Sequence, residues 1–229
     1  MCGRFTLTTP PQALATIFGI RERLNIPPRY NVAPTQDVPV IFRDPNINDG
    51  RHMGMMRWGL VPAWAKSLTD TPLLINARLD GIATKPSFEA SFRHRRCLIP
   101  ADGFYEWQAQ TKTPHLIRPK TGEVFAFAGL WSEYNEAENP IRTVAIVTTE
   151  ASGAMTALHA RLPVILKPAF YAAWLGEAAL APRTLLAPDH LTGDDLAFHP
   201  VSRRVNAVAN DDPQCLLPCE ETPPQGSLF

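Results

Sequence analysis

The sequence is short of net charge. Lys plus Arg and Asp plus Glu balance at 22 each, so no overall positive field draws the chain to nucleic acid, and any such site has to be a local patch. No apolar run approaches the roughly 18 residues that a membrane-spanning helix needs. The N-terminus lacks the charged region and apolar stretch of a secretory signal. Its second residue is Cys rather than Gly, which excludes N-myristoylation. Cysteine is scarce, with four in 229 residues at positions 2, 97, 215 and 219. Without a secretory signal these read as reduced thiols, and a cytoplasmic location is expected, nucleoid-associated in a bacterium. Cys215 and Cys219 are four apart, but no nearby Cys or His completes a metal set, so no metal or other cofactor is expected. Repeats and linker-like composition shifts are absent as well.

What is present describes an ordinary globular protein, 45% hydrophobic and 19% charged. Proline is the excess: 23 residues, about twice the usual ~5%. So much proline cannot sit inside helices and points to short strands, turns and ordered loops. Thr9-Pro10-Pro11 opens a helix whose apolar face is Leu14, Ile17 and Phe18, with Gly19 ending it. Strands are predicted over 37–43, 53–60, 73–79, 97–100, 104–107, 115–117, 124–130, 143–147, 164–166 and 196–201. Short helices are predicted over 86–92, 152–158 and 169–175. Residues 29–35 and 61–66 read as loops, and Asp102-Gly103 as a turn. Met53, Met55 and Met56 read as core filler, and the basic run 93–96 as a solvated face. The whole is one strand-rich α+β domain over 1–218, with a disordered tail expected over 219–229.

The first four residues, Met1-Cys2-Gly3-Arg4, carry the sharpest chemistry. Trimming of Met1 would leave Cys2 with a free α-amine and a thiol on adjacent carbons. Their unperturbed pKa values, about 7.7–8.0 and about 8.5, leave neither group fully blocked near neutrality. An aldehyde meeting this 1,2-aminothiol can form an imine and then close to a five-membered thiazolidine. Alternatively, the thiolate alone attacks a carbonyl with its own amine as base. The motif by itself does not decide between this chemistry and an ordinary second residue. In an extended segment Cys2 and Arg4 point the same way, with Gly3 between them admitting a ligand.

Other residues add to it. Glu106 lies among Phe104, Tyr105 and Trp107, surroundings that desolvate a carboxylate and raise its pKa toward useful proton transfer. Asn76 and Arg78 share one face of an otherwise apolar strand and are either bonded inside or turned to a ligand; Asn suits a hydroxyl and Arg a phosphate. His159 follows a short helix and could shuttle a proton, and Trp64 in a proline-bounded loop could stack on a base. Each also has a structural explanation.

Taken together these residues resemble the SRAP (SOS response-associated peptidase) family, which shields abasic sites in single-stranded DNA. The likeness rests on MCGR at 1–4, RYNVAPTQ at 29–36, WGLVPAW at 58–64, LINAR at 74–78, RRCLIPADGFYEW at 95–107, LHARLPVIL at 158–166 and HPVSRRVN at 199–206. It runs from Met1 to about Asn210. The resemblance implies an abasic-site-reactive, lyase-type enzyme in which Cys2 captures the ring-opened aldehyde as a thiazolidine crosslink. It assigns Asn76, Glu106 and His159 to the active site beside Cys2. Arg4, Asn31, Trp64, Arg78, Lys85 and Arg161 fall where the family contacts the strand. It further implies a monomer and a compact SRAP domain of mainly antiparallel sheets closing into a barrel-like core with short peripheral helices. β-Elimination from the imine and autoprocessing of Met1 are implied side activities. Ala65, where some relatives carry a second Trp, implies weaker base stacking. Two other readings stand beside this one. Class II glutamine amidotransferase domains also begin Met-Cys-Gly, but their Asn-Gly-Glu and Arg-Gly-Pro loops are not found here. A non-catalytic single-strand binding module would keep its DNA association without Cys2.

Overall fold

The computed structural model describes residues 2–21, 24–44, 50–68, 71–136, 139–178 and 181–220, and strands dominate them. In chain order these are β1 (Phe5–Leu7), β2 (Arg29–Val32), β3 (Asp37–Phe42), β4 (His52–Trp58), β5 (Asn76–Arg78), β6 (Arg96–Ala101), β7 (Gly103–Trp107), β8 (Pro114–Pro119), β9 (Phe125–Glu136), β10 (Asn139–Glu150), β11 (Arg161–Pro163), β12 (Ile165–Leu166) and β13 (Leu196–Pro200). One sheet runs β13-β8-β7-β1-β2. The other runs β11-β10-β4-β3-β6-β9-β12, and because β9 also pairs with β10, strands β10, β4, β3, β6 and β9 close into a barrel. Pairing is antiparallel except where β10 runs parallel to β4 and to β5. The expected α+β architecture with a barrel-like core is the one observed. No helix among the described residues is long and apolar enough to cross a membrane.

Alternation along β7 explains how the two sheets meet. Phe104 faces the main core, where its ring and that of Phe5 each lie 5.9 Å from Phe127, while Phe5 lies 5.2 Å from Trp58. Such tilted and edge-on pairs are worth about 0.5–1.5 kcal/mol each beyond the area they bury. Tyr105, one residue on, points to the opposite face and joins a smaller cluster with Leu116, Val201, Val205 and Cys215. Glu106 returns to the Phe104 side.

Asp102 is a corner rather than a turn. β6 ends in the closed sheet, β7 begins in the other, and Asp102 is the one residue between them. Its carboxylate accepts from the Thr6 hydroxyl, from the N–H (2.6 Å) and hydroxyl (2.7 Å) of Thr8, and from the N–H (3.0 Å) and hydroxyl (3.1 Å) of Thr9. The backbone N–H of Asp102 donates to the Thr6 carbonyl at 3.0 Å.

Several local expectations need correction. Residues 29–32 form a strand because β1 pairs with them and Asp211, far along the chain, accepts from the Tyr30 and Asn31 N–H groups. The helix expected over 86–92 lies at Glu89–His94, since the Phe88 and Glu89 N–H groups first bond the Lys85 carbonyl as a turn. The strand expected over 73–79 is confined to 76–78, and Ile75 turns back onto the Leu73 carbonyl. The helix expected over 152–158 is the 3₁₀ turn Gly153–Ala157. The first helix is Pro11–Phe18, capped by Gly19 at φ 64°, but it buries Leu14 and Phe18 and leaves Ile17 exposed. Met55 is 45% exposed, so of the three methionines only Met53 and Met56 fill the core. Arg96 is tied to the Trp174 and Phe92 carbonyls at 2.6 Å, and Arg95 lies over Trp131, so half of the basic run is anchored. Of the expected tail, Cys219 donates its N–H to the Pro200 carbonyl at 3.1 Å, and residues 221–229 lie outside those described.

Candidate active site

Residues 2–4 run on from β1 alongside β7. Phe5 pairs with Phe104, and the Tyr105 N–H donates to the Arg4 carbonyl at 3.0 Å. Continuing that register places the Gly3 backbone beside Glu106, where the absence of a side chain leaves room. Cys2 is wholly buried against the main core, its thiol 3.9 Å from the Arg4 carbonyl oxygen. Asn76, at the start of β5, donates its side-chain amide to the Cys2 carbonyl at 2.9 Å. Its own Oδ1 is buried without a hydrogen-bond partner among the described residues.

Glu106 is 3% exposed. Burial raises its pKa above the ordinary 4.5, and the charge of His159 works in the opposite direction. Burial also pushes the Cys2 thiol far up, and the nearby Glu106 carboxylate adds to that. The Asn76–Cys2 hydrogen bond, and charges of Cys2, Glu106 and His159 close enough to act on one another, put residues from four separate segments in one neighbourhood. His159 Nδ1 lies 2.9 Å from the Arg161 N–H nitrogen and 3.1 Å from the Arg161 carbonyl oxygen, which fixes the ring against the start of β11. Two short turns interlock to hold this loop: a Cβ on Gly193 would stand 1.8 Å from the Ser152 carbonyl oxygen, which only glycine permits.

The six strand-contact candidates divide. Trp64 is 60% exposed and steadied by one bond from Nε1 to the Pro86 carbonyl at 3.3 Å. Arg78 and Lys85 are exposed, and the Lys85 stem lies over Gly81. Arg161 is buried, donating from Nη2 to the Thr148 carbonyl at 2.8 Å and hydroxyl at 3.1 Å. Asn31 is fully buried, and its amide nitrogen donates to the carbonyls of Val205, Ala207 and Asn210 at 2.8–3.1 Å. Its oxygen accepts from Arg4 at 2.9 Å. Arg4 also donates to the Val205 carbonyl at 2.7 Å and lies over Trp107. Cys2 and Arg4 therefore do not face one ligand: the thiol enters the core and the guanidinium clamps the 205–210 loop. Among the described residues no cluster of three or more His, Cys, Asp or Glu could hold a metal.

Sequence reasoning passes over His115, which stands directly across from Glu106 on β8 and is buried. Its signal is the β7–β8 hairpin, whose register pairs Trp107 with Pro114 and therefore Glu106 with His115.

The family model described as SOS response associated peptidase (SRAP) matches residues 1–208. Abasic site processing protein YoqW of Bacillus subtilis (strain 168) is 38% identical over 226 residues, covering 94% of this chain and 99% of that one. Abasic site processing protein HMCES of Gallus gallus is 32% identical over 228 residues, covering 84% of this chain and 67% of its own. The crystal structure of a Bacteroides thetaiotaomicron protein has a TM-score of 0.84 at 21% identity, covering 96% of this chain and 100% of that one, a likeness of fold.

Proposed function

The chain belongs to the SOS response associated peptidase family, and we propose that it processes abasic sites in single-stranded DNA by joining itself to them through Cys2. The observation that carries this reading is the tether from Asn76 to the Cys2 carbonyl beside a buried Glu106 whose pKa burial raises. The names of its relatives support the lesion, and the site supports the chemistry.

Hydrolysis of the Met1–Cys2 bond frees the α-amine. That amine adds to the aldehyde carbon of the ring-opened sugar and gives a carbinolamine. Glu106 protonates the hydroxyl, which leaves as water, and an imine remains. The thiol sulfur then adds to the imine carbon while its proton passes to the nitrogen, closing the thiazolidine. One water is released and nothing is oxidised or reduced. A thiol held protonated by burial does not compete with the amine for the aldehyde, so the order is amine first, sulfur second. Asn76 holds the nucleophilic residue by its main chain, and His159 moves a proton at the sugar hydroxyl during ring opening or reversal. Loss of a sugar proton from the imine, with departure of the 3′ phosphate, gives strand cleavage as a side reaction. Trp64, Arg78 and Lys85 supply stacking and phosphate contacts, with Arg161 and the Arg4–Asn31 clamp shaping the path.

The test mixes Met1-trimmed protein with single-stranded DNA containing one abasic site and resolves it on a denaturing gel. A heat-stable shifted band, absent with undamaged DNA and lost in Cys2→Ala and Cys2→Ser, is expected. No covalent species from a protein whose free Cys2 is verified by intact mass would overturn the reading. Ammonia release from glutamine would favour the amidotransferase-like alternative instead.

A further inference from the structure

Asn76 and Arg78 occupy the same face of β5, about 6.6 Å apart at ~3.3 Å per residue, roughly one nucleotide step of a stretched strand. Two residues further on, Asp80 enters a cavity of about 230 Å³ lined by Leu79, Asp80, Thr149, Glu150, Arg161 and Leu186. Of its lining, the steps above use Arg161 alone, and only to shape the strand's path. Arg161 is 9% exposed and spends Nε and Nη2 on Thr148, which leaves Nη1 without a hydrogen-bond partner among the described residues. Arg78, Asp80 and Glu150 all lie close enough to act on the Arg161 charge.

We propose that this cavity receives the base next to the abasic site and that it selects guanine. The inference rests on the abasic-site reading. Two carboxylates at the cavity repel a phosphate, and the Leu79 and Leu186 walls suit a flat ring. A single-stranded base presents its full hydrogen-bonding edge to such a pocket. Guanine offers the N1–H and 2-amino donors to a carboxylate and the O6 and N7 acceptors to an arginine nitrogen. Thymine offers two carbonyl acceptors and one donor, the poorest match to paired carboxylates.

The test uses Met1-trimmed protein and single-stranded oligonucleotides with one abasic site. The 5′ or the 3′ neighbour is set in turn to each of the four bases and to hypoxanthine, and crosslinking is timed under single-turnover conditions. On one side of the lesion, guanine is expected to react about tenfold faster than thymine. Hypoxanthine, without the 2-amino group, loses most of that advantage. Asp80→Asn and Glu150→Gln, made separately and checked for folding by circular dichroism, bring the guanine-to-thymine ratio toward one. Adduct formation at equal rates in every oligonucleotide overturns the pocket and leaves the crosslinking reading standing. A guanine preference that survives in both variants also overturns it. Failure to form adduct with any oligonucleotide overturns the crosslinking reading, and the pocket falls with it. Should a variant not fold, the wild-type panel decides alone.

Discussion

The side-chain amide of Asn76 and the main-chain carbonyl of Cys2 are joined by a 2.9 Å hydrogen bond, which holds the N-terminal residue without engaging its sulfur. A nucleophile positioned this way loses rate steeply when the tether is cut, because misplacement by an ångström can cost about 10²-fold. Asn76→Ala is expected to slow crosslink formation about 10- to 100-fold. Asn76→Asp is expected to be at least as slow, since a carboxylate cannot donate to the carbonyl. Single-turnover gels against wild type check both, and unchanged rates would remove Asn76 from its positioning role.

Glu106 makes a pH-dependent prediction about stability. Its pKa in the folded protein is raised above 4.5 by burial, so the unfolded chain releases the proton first. The associated stability is fully present below the unfolded pKa and is lost as pH rises through the folded value. Glu106→Gln removes that loss. The variant is therefore expected to melt closer to or above wild type at pH 7, and to compare less favourably at pH 4. Thermal melts at the two pH values decide it, and an opposite ordering refutes the raised pKa.

Asn31 is expected to be needed for folding strength ahead of any contact with DNA. Asn31→Leu removes four buried hydrogen bonds, although Val205 keeps its bond from Arg4, Ala207 its bond from the Asn210 N–H, and Asn210 its bond from the Cys215 thiol. At about 0.5–1.5 kcal/mol net for each hydrogen bond lost, the cost is on the order of 2–5 kcal/mol. Urea denaturation measures it. A cost under about 1 kcal/mol would mean that the 205–210 loop is held by other bonds.

The exposed residues predict the reverse. Trp64→Ala should change stability by less than about 0.5 kcal/mol yet weaken single-strand binding by about 1–3 kcal/mol. Arg78→Ala and Lys85→Ala should each reduce the slope of log affinity against log salt by about 0.7. Fluorescence anisotropy on undamaged DNA between 50 and 200 mM salt, a span over which phosphate contacts register strongly, checks all three. A wild-type slope implying ten contacts would contradict the small charged surface inferred here.

Legibility in the sequence follows distance along the chain. Glu106 is readable as a desolvated acid because Phe104, Tyr105 and Trp107 are its immediate neighbours. Asn76 and Arg78 are readable as sharing a face because strand alternation is local. The helix from Pro11 to Gly19 announces both of its ends. What stays hidden depends on partners far along the chain. Asp211 turns Arg29–Val32 from apparent loop into strand, and the carbonyls of 205–210 bury Asn31 and capture Arg4. Trp174, through its carbonyl, withdraws Arg96 from the surface. His115 is hidden only until the hairpin register is worked out.

Asp102 makes the N-terminal arm a ruler. β1 is three residues long and carries a register irregularity against β2, so its ladder bonds alone would hold alignment weakly. The one carboxylate that gathers Thr6, Thr8 and Thr9 sits at the residue preceding β7, the strand that bears Glu106. The span from Thr6 back to Cys2 and the span from Asp102 forward to Glu106 are thus two arms of equal length from a common pivot, four residues each. Lengthening either by a single residue would carry sulfur and carboxyl past one another by about 3.4 Å, leaving every reactive group intact and none of them in reach.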